Sequence, residues 1–258
     1  MEARPFFTIL TASLDMACTL RKTIASVRDQ DFQEVEHIVV DGGSTDGTLE
    51  LLAGAETAYN LKWISGPDRG VPDAFNRGLA MAGGTYVVVI QADDYLLHRS
   101  ILGRVKRVIE EHNADIYSFP VMKGVPGRKG RRLRPIPLRW YIRFRNIFPH
   151  QGVFIRRRLF DTVGMYDVRY SIAMDYDFLY RALNRDCSIR FERMPVAFMG
   201  AEGLSTDRRF LPDRLAEERR IHAANEQSRC WHALQQLFWF AYRPYKLKFR
   251  RPGRWKTK

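Results

Sequence analysis

Cysteine is scarce. Cys18, Cys187 and Cys230 are the three in 258 residues, and they are far apart. They frame neither a disulfide scaffold nor a metal site, and an odd, sparse set fits a reducing compartment. Long hydrophobic runs are also missing. No apolar stretch approaches the ~20 residues a spanning helix needs. The opening MEARPFFTIL has no basic start followed by a long apolar run, so no secretory signal is expected. No internal repeat is visible. The expectation is a cytoplasmic protein, soluble or peripheral on the cytoplasmic face of a membrane.

Acid is absent where base is dense. Residues 121–148 carry nine Lys/Arg and no Asp or Glu, and residues 243–258 carry eight and none. The net charge of +13 is therefore uneven: residues 1–120 hold 11 basic and 17 acidic side chains, residues 121–258 hold 31 and 12. Such asymmetry suggests that the second half faces something anionic, namely a membrane surface, phosphates or nucleic acid. The alternative is a solvated face that aids solubility.

What is present is an alternation of strands and helices. Residues 6–10 read as a first strand leaving through a Thr-Ala-Ser turn, and 14–29 as a helix with Leu20, Ile24 and Val27 at helical spacing. Strand 37–40 closes on Asp41-Gly42-Gly43-Ser44, and helix 45–53 follows with Ser44 or Thr45 as its N-cap. Strand 61–65, helix 72–81, the β-branched run YVVVI at 86–90 and helix 99–112 complete the first half. The pattern predicts an α/β fold with a mostly parallel, doubly wound sheet flanked by helices. Ligands bind beyond the carboxyl ends of such strands. The polar clusters Thr11–Ser13, Asp41–Ser44, Asp68–Arg69 and Asp93–Asp94 sit there.

The second half is less regular. Residues 121–148 read as a mobile basic loop, with a strand pair expected around 133–138. Strand 153–155, helices 157–163 and 174–184, and short strands at 189–191 and 196–199 follow. Residues 211–242 look helical. The predicted division is a domain over 1–210, split at 120 into a ligand half and a catalytic half, and a polybasic helical extension over 211–258, whose Trp231, Phe238, Trp239, Phe240, Tyr242 and Tyr245 are expected to join the basic end in a peripheral membrane anchor.

Several groups offer chemistry. Asp93 and Asp94 form a carboxylate pair able to hold Mg²⁺ or Mn²⁺, or else a turn with an Asp cap. Asp41 with Gly42 can meet a base or ribose, because glycine lets a ligand approach the backbone. Arg69 can clamp phosphate oxygens, and Asp73, Asn76 and Arg77 follow on the next helix. Asp175 and Asp177 cannot share one helix face; one is a candidate general base and the other a cap or a partner of Arg181. His150 and Gln151 have no Cys or His neighbours, which argues against zinc.

In this order the segments TASLDMACTLRKTIASVRDQ, EHIVVDGGSTDGT, WISGPDRGVPDAFNRGLAMAGGTYVVVIQADD, HQGVFIRRRLFDTVGMYD and AMDYDFLYRAL resemble the family 2 glycosyltransferases of the GT-A fold. The similarity is greatest to bacterial enzymes of the colanic-acid and exopolysaccharide type, and it covers about residues 5–200. The resemblance implies a Rossmann-like GT-A domain that inverts configuration. It implies a nucleotide-diphosphate sugar donor, with a UDP-sugar favoured, and Mn²⁺ or Mg²⁺ at Asp93 and Asp94. Thr11, Ser13, Asp41 and Gly42 would lie near the base, and Asp68, Arg69 and Asn76 near the ribose and diphosphate. Asp93, His150 and Gln151 would also touch the donor. Asp175 would be the catalytic base, with Asp177 second. Gln91 stands where a first metal-binding carboxylate is usual, Met174 where an acid often precedes the base, and Ser13 where an aromatic often stacks. The acceptor is expected to be a lipid-linked glycan of surface-polysaccharide synthesis, met at an anionic membrane, with no nucleic-acid partner. A catalytically inactive assembly partner and a basic nucleic-acid-binding protein are the alternatives.

Overall fold

The computed structural model describes residues 4–128, 130–200 and 207–249. Three parallel strands form the centre: β1 (Phe7–Ser13), β2 (Val35–Asp41) and β3 (Leu61–Ser65). The chain then returns to the other side of β1 with β4 (Tyr86–Val89), also parallel. Helices α1 (Ala17–Arg28), α2 (Thr48–Ala55) and α3 (Val71–Met81) make the connections. Side chains alternate along each strand. Leu10, Ile38, Val40, Val87 and Val89 enter one core layer, while Phe7, Ile9, Tyr86 and Val88 enter the other. Burial on both faces explains the unbroken apolar runs.

A short strand β5 (Tyr95–Leu96) and α4 (Ile101–His112) lead to β6 (Ile116–Ser118). β9 (Val153–Arg156) slots antiparallel between β4 and β6, and β10 (Ile189–Phe191) closes the edge. The seven-stranded order is β10-β6-β9-β4-β1-β2-β3. The strand order reverses between β1 and β4, so the binding crevice belongs at their carboxyl ends. A second sheet, β5-β11-β7-β8, uses β7 (Val121–Gly124), β8 (Arg131–Leu133) and β11 (Ala197–Gly200). Helices α5 (Arg158–Val163), α6 (Met174–Leu183), α7 (Leu211–Asn225) and α8 (Arg229–Phe249) complete the chain.

Four local readings change. β1 continues through Thr11-Ala12-Ser13 instead of turning there, because its register with β2 runs on to Ser13 opposite Asp41. α2 starts at Thr48 behind left-handed Gly47; Asp46 accepts from the Thr48 amide and hydroxyl, so neither Ser44 nor Thr45 caps it. The basic segment begins as a β7–β8 hairpin, earlier than the expected pair, and continues into a 3₁₀ turn at Arg139–Arg143. The helical region after 211 breaks at residues 226–228, and α8 then runs on through Pro244. Residues 250–258, including Trp255 and the end of the basic tail, lie outside the described residues.

α7 and α8 do not stand apart. Trp239 Nε1–H donates to His222 Nδ1, and His222 Nε2 lies 2.6 Å from the Tyr176 hydroxyl, which in turn donates to the Ile142 carbonyl. An indole nitrogen can only donate. His222 Nδ1 is therefore the acceptor, and Nε2 carries the proton. Burial pushes the His222 pKa down to about 4, in keeping with this neutral form. The chain of bonds ties α8 to α7, to α6 and to the 3₁₀ turn.

Candidate active site

A cleft of about 330 Å³ opens at the carboxyl end of β4. Its acids are Asp93, Asp94, Asp175 and Glu218, and its cations are Arg145 and Arg214. Gln91, Asn146, His150, Gln151 and Gly200 also line it.

Asp93 and Asp94 follow β4 directly. Asp94 is buried; Gln151 Nε2 donates to one carboxylate oxygen (2.8 Å) and the Gly200 amide to the other (2.9 Å). Burial, then the charge of Asp93, raises the Asp94 pKa to about 7. Burial also raises Asp93, against the opposing pull of Lys123. Two desolvated carboxylates side by side disfavour double ionisation. A divalent cation relieves that conflict, and Mg²⁺ is commonly held by one or two carboxylates plus phosphate oxygens and water. The donor set therefore fits a metal carried with a diphosphate. Among the described residues no group of three or more His, Cys, Asp or Glu forms a self-sufficient metal cage.

Gln151 reaches Asp94 because the chain turns sharply at Gly152. A Cβ on Gly152 would stand 2.2 Å from the Phe119 carbonyl oxygen, so only glycine fits. Gln151 Oε1 is buried and has no hydrogen-bond partner among the described residues. His150 packs on Phe75 and Tyr166, and burial lowers its pKa although Asp175 pulls the other way.

Asp175, in the first turn of α6, also lines the cleft. Asn146 Nδ2 donates to its Oδ2 (2.9 Å) and the Tyr176 amide to its Oδ1 (2.7 Å). α6 has no side-chain cap of its own. Glu217 on α7 does this work from a distance: it accepts from the amides of Ser171, Ile172 and Ala173 and from the Ser171 hydroxyl. The entry to α6, and with it Asp175, is thus held by α7. Asp177 points elsewhere. Its carboxylate takes bonds from Arg181 (2.8 Å) and Asn225 (3.0 Å), is buried, and does not line the cleft. Of the two candidate bases, the cleft receives Asp175.

The remaining expected residues form a second group at the exits of β1, β2 and β3. Asp41 is fully buried and accepts from the amides of Gly43 and Ser44 and from the hydroxyls of Ser44 and Ser65. Burial would raise its pKa, but these bonds outweigh it and hold the carboxyl low. Asp41 is an internal hub that shapes the floor, not an exposed ligand group. Ser44 also accepts from the Asp15 amide, and the Thr45 amide donates to Asp15, which laces the first two loops together. Gly42 lies against Asp68, whose Oδ2 would be 3.2 Å from an added Cβ. Ser13 Oγ is buried with no hydrogen-bond partner among the described residues. Thr11 is fully buried and donates to the Ile90 carbonyl, and its oxygen faces His37 Nε2. That proton assignment puts hydrogen on His37 Nε2 and makes Tyr59 the donor to Nδ1. Thr11 therefore serves the sheet, and its side chain is not at the cleft.

Arg69 is 78% exposed and pairs with Asp73. Asn76 spends both ends of its amide on the backbone of Tyr166, donating to the carbonyl and accepting from the amide. It clamps α3 to the loop after α5. Sequence reasoning missed Asn146, Glu217, Glu218, Arg145 and Arg214. The first sits in the basic segment and the acids in the helical run AEERR, which locally looks like a solvated face.

The profile of "Glycosyl transferase family 2" matches residues 8–174. The chain belongs to that family. It is 34% identical over 218 residues to a PGL/p-HBAD biosynthesis glycosyltransferase of Mycobacterium bovis, covering 81% of this chain and 84% of the relative. Among solved structures it is similar to Staphylococcus aureus TarS 1-349 in complex with UDP-GlcNAc, with a TM-score of 0.73 at 20% identity over 95% of this chain and 76% of that one. It is also similar to the mannosyltransferase PcManGT of Pyrobaculum calidifontis in complex with GDP-Man and Mn²⁺. There the TM-score is 0.62 at 18% identity, over 95% and 83% of the two chains. The α/β fold of this family 2 glycosyltransferase is thus the GT-A fold. Among the described residues no helix is long and apolar enough to cross a membrane.

Proposed function

We propose that the protein transfers a sugar, with inversion, from a nucleotide-diphosphate sugar to a hydroxyl of a lipid-linked acceptor at an anionic membrane surface. The observation that carries the reading is one cleft lined both by Asp175 and by the Asp93–Asp94 pair. Asp175 takes the proton of the acceptor hydroxyl. The freed oxygen bonds to the anomeric carbon from the face opposite the diphosphate. The bond from that carbon to the diphosphate oxygen breaks, and the nucleoside diphosphate leaves with the electron pair. No covalent enzyme intermediate is needed. Mn²⁺ or Mg²⁺, held by Asp93 and Asp94, would supply charge neutralisation for the leaving group.

Asn146 orients Asp175, and Glu217 fixes the segment before it. Gln151 holds Asp94 in place. The nucleotide would lie over the β1–β3 exits, where Ser13 Oγ lacks a partner among the described residues and Gly42 permits close approach. Asp41 supports that floor, and Asp68 and Arg69 border it. A UDP-sugar is the first donor to try.

The test is a panel of UDP-, GDP- and dTDP-sugars with Mn²⁺, Mg²⁺ or EDTA, read by nucleoside-diphosphate release and donor binding. Selective, metal-dependent release or binding of one donor is expected. No binding of any donor would overturn the reading. Once an acceptor is found, NMR of the product anomer decides between inversion and retention.

A further inference from the structure

α8 has two apolar faces. The inner one carries Trp239, which is 4% exposed, with Phe238 and Tyr242 packed beside it against α7 and the 3₁₀ turn. The outer one carries Leu234, Leu237 and Phe240, which are 48%, 67% and 81% exposed, with Leu247 further along. Residues spaced by three stay on one side of a helix, displaced by about 60° per step. A helix apolar on both sides is normally buried in a larger core. This one presents its second face to the outside.

The surroundings of that face are cationic. Along α8 stand Arg229, Arg243, Lys246 and Lys248 and no acid, and Arg243 and Lys248 are exposed. Two copies joined through α8 would bring like charges together. Anionic headgroups are complementary to it. α8 is too polar to span a bilayer, and an apolar stripe flanked by Lys and Arg suits a helix lying in the interface.

We infer that the outer face of α8 docks on an anionic bilayer, with Leu234, Leu237 and Phe240 entering the headgroup–acyl boundary. This rests on the proposed membrane-presented acceptor and specifies the surface that meets the membrane. It also divides the expected aromatic anchor: Trp231, Phe238, Trp239 and Tyr242 pack within the protein, whereas Phe240 and Tyr245 are exposed. The inner face leads back through His222 and Tyr176 to the helix of Asp175, so docking would set the cleft at a fixed height above the bilayer.

The experiment is flotation of the full chain with vesicles of phosphatidylcholine containing phosphatidylglycerol, against phosphatidylcholine alone. The variants are Leu237→Ser with Phe240→Ser and, separately, Leu237→Glu with Phe240→Glu. Circular dichroism and release of nucleoside diphosphate from a water-soluble donor check the fold and the site. The expected result is a rise of at least about tenfold in the lipid needed for half-binding, with fold and release unchanged. Vesicle binding equal to wild type in both double variants would overturn the inference. So would a wild-type dimer that the variants turn into a monomer without loss of vesicle binding. Lost docking in a protein that binds no donor sinks the enzymatic reading alone; intact donor chemistry with unchanged docking sinks only the inference.

Discussion

The two ends of the cleft are held by opposite means. At the exits of β1–β3 the polar groups bond first within their own loops, Asp41 to Gly43 and Ser44, Asp46 to Thr48 and Asp68 to Gly70, and then to the adjoining loop, as Ser65 to Asp41 and Thr45 to Asp15. At the Asp175 wall the partners are remote. Glu217 reaches back 44 to 46 residues to hold 171–173, and Asn146 lies 29 residues from Asp175. Local bonding makes the first end legible and stiff. Long-range bonding makes the second end depend on α7 and α8 being docked.

The sharpest way to break this comparison is to exchange the two carboxylates of α6. Asp175→Asn should lower kcat by about 10²–10⁴, the range for losing a general base, with little change in thermal midpoint. Asp177→Ala should do the reverse. It takes the carboxylate from Arg181 and Asn225, which keep backbone carbonyl acceptors, a loss of about 1.5–3 kcal/mol, while the turnover of the folded fraction persists. Turnover assays and thermal melts on both variants separate the roles. Near-normal turnover in Asp175→Asn would remove the proposed base.

Glu217 comes next. Glu217→Ala leaves three backbone amides and a hydroxyl without their acceptor, which should cost about 2–4 kcal/mol. A misplaced Asp175 should also lower kcat by about tenfold or more while donor binding stays constant. Glu217→Gln keeps one good acceptor oxygen and should recover part of both. Equal losses in donor affinity and kcat would mean that α7 merely stabilises the fold.

The same contrast explains what could be read without a structure. YVVVI announces β4 because a strand buried on both faces is written in consecutive residues. Asp41-Gly-Gly-Ser announces a loop because its bonds span two or three positions. Asp93, Gln151 and Asp175 were legible as a set only through their resemblance to a family. Glu217 was not legible, since its partners are three amides that have no sequence identity. Thr11 misled for a related reason: its type and place suit a ligand, and only the fold shows that its hydroxyl is bonded inside the sheet. Trp239 misled because an aromatic helix face looks the same whether it meets lipid or another helix.

Each region buries one neutral histidine, and pH probes both. Burial lowers His37 to about 3 and His222 to about 4. Unfolded histidine binds a proton near pH 6.5. The stability each contributes is therefore complete above about pH 6.5 and is lost as pH falls, through about 4 for His222 and about 3 for His37. The slope is up to about 1.4 kcal/mol per pH unit for each group. Urea unfolding between pH 7.5 and 4.5 should show this loss, and His222→Gln should flatten it by its own share. An unchanged slope would mean that His222 is not the neutral link between Trp239 and Tyr176.

The smallest effect should come from Asn76, and it tests the first region from the other side. Its family position suggests a donor contact, whereas its amide bonds tie α3 to Tyr166. Asn76→Ala removes two partly buried hydrogen bonds and should cost about 1–2 kcal/mol. Donor affinity should stay within a factor of about two if the bonds to Tyr166 are the side chain's whole role. Isothermal titration with the preferred donor, beside a urea melt, reads both quantities. Selective loss of donor affinity without loss of stability would show that Asn76 lets go of Tyr166 to meet the ligand, and that the nucleotide end rearranges on binding where its local bonding predicts stiffness.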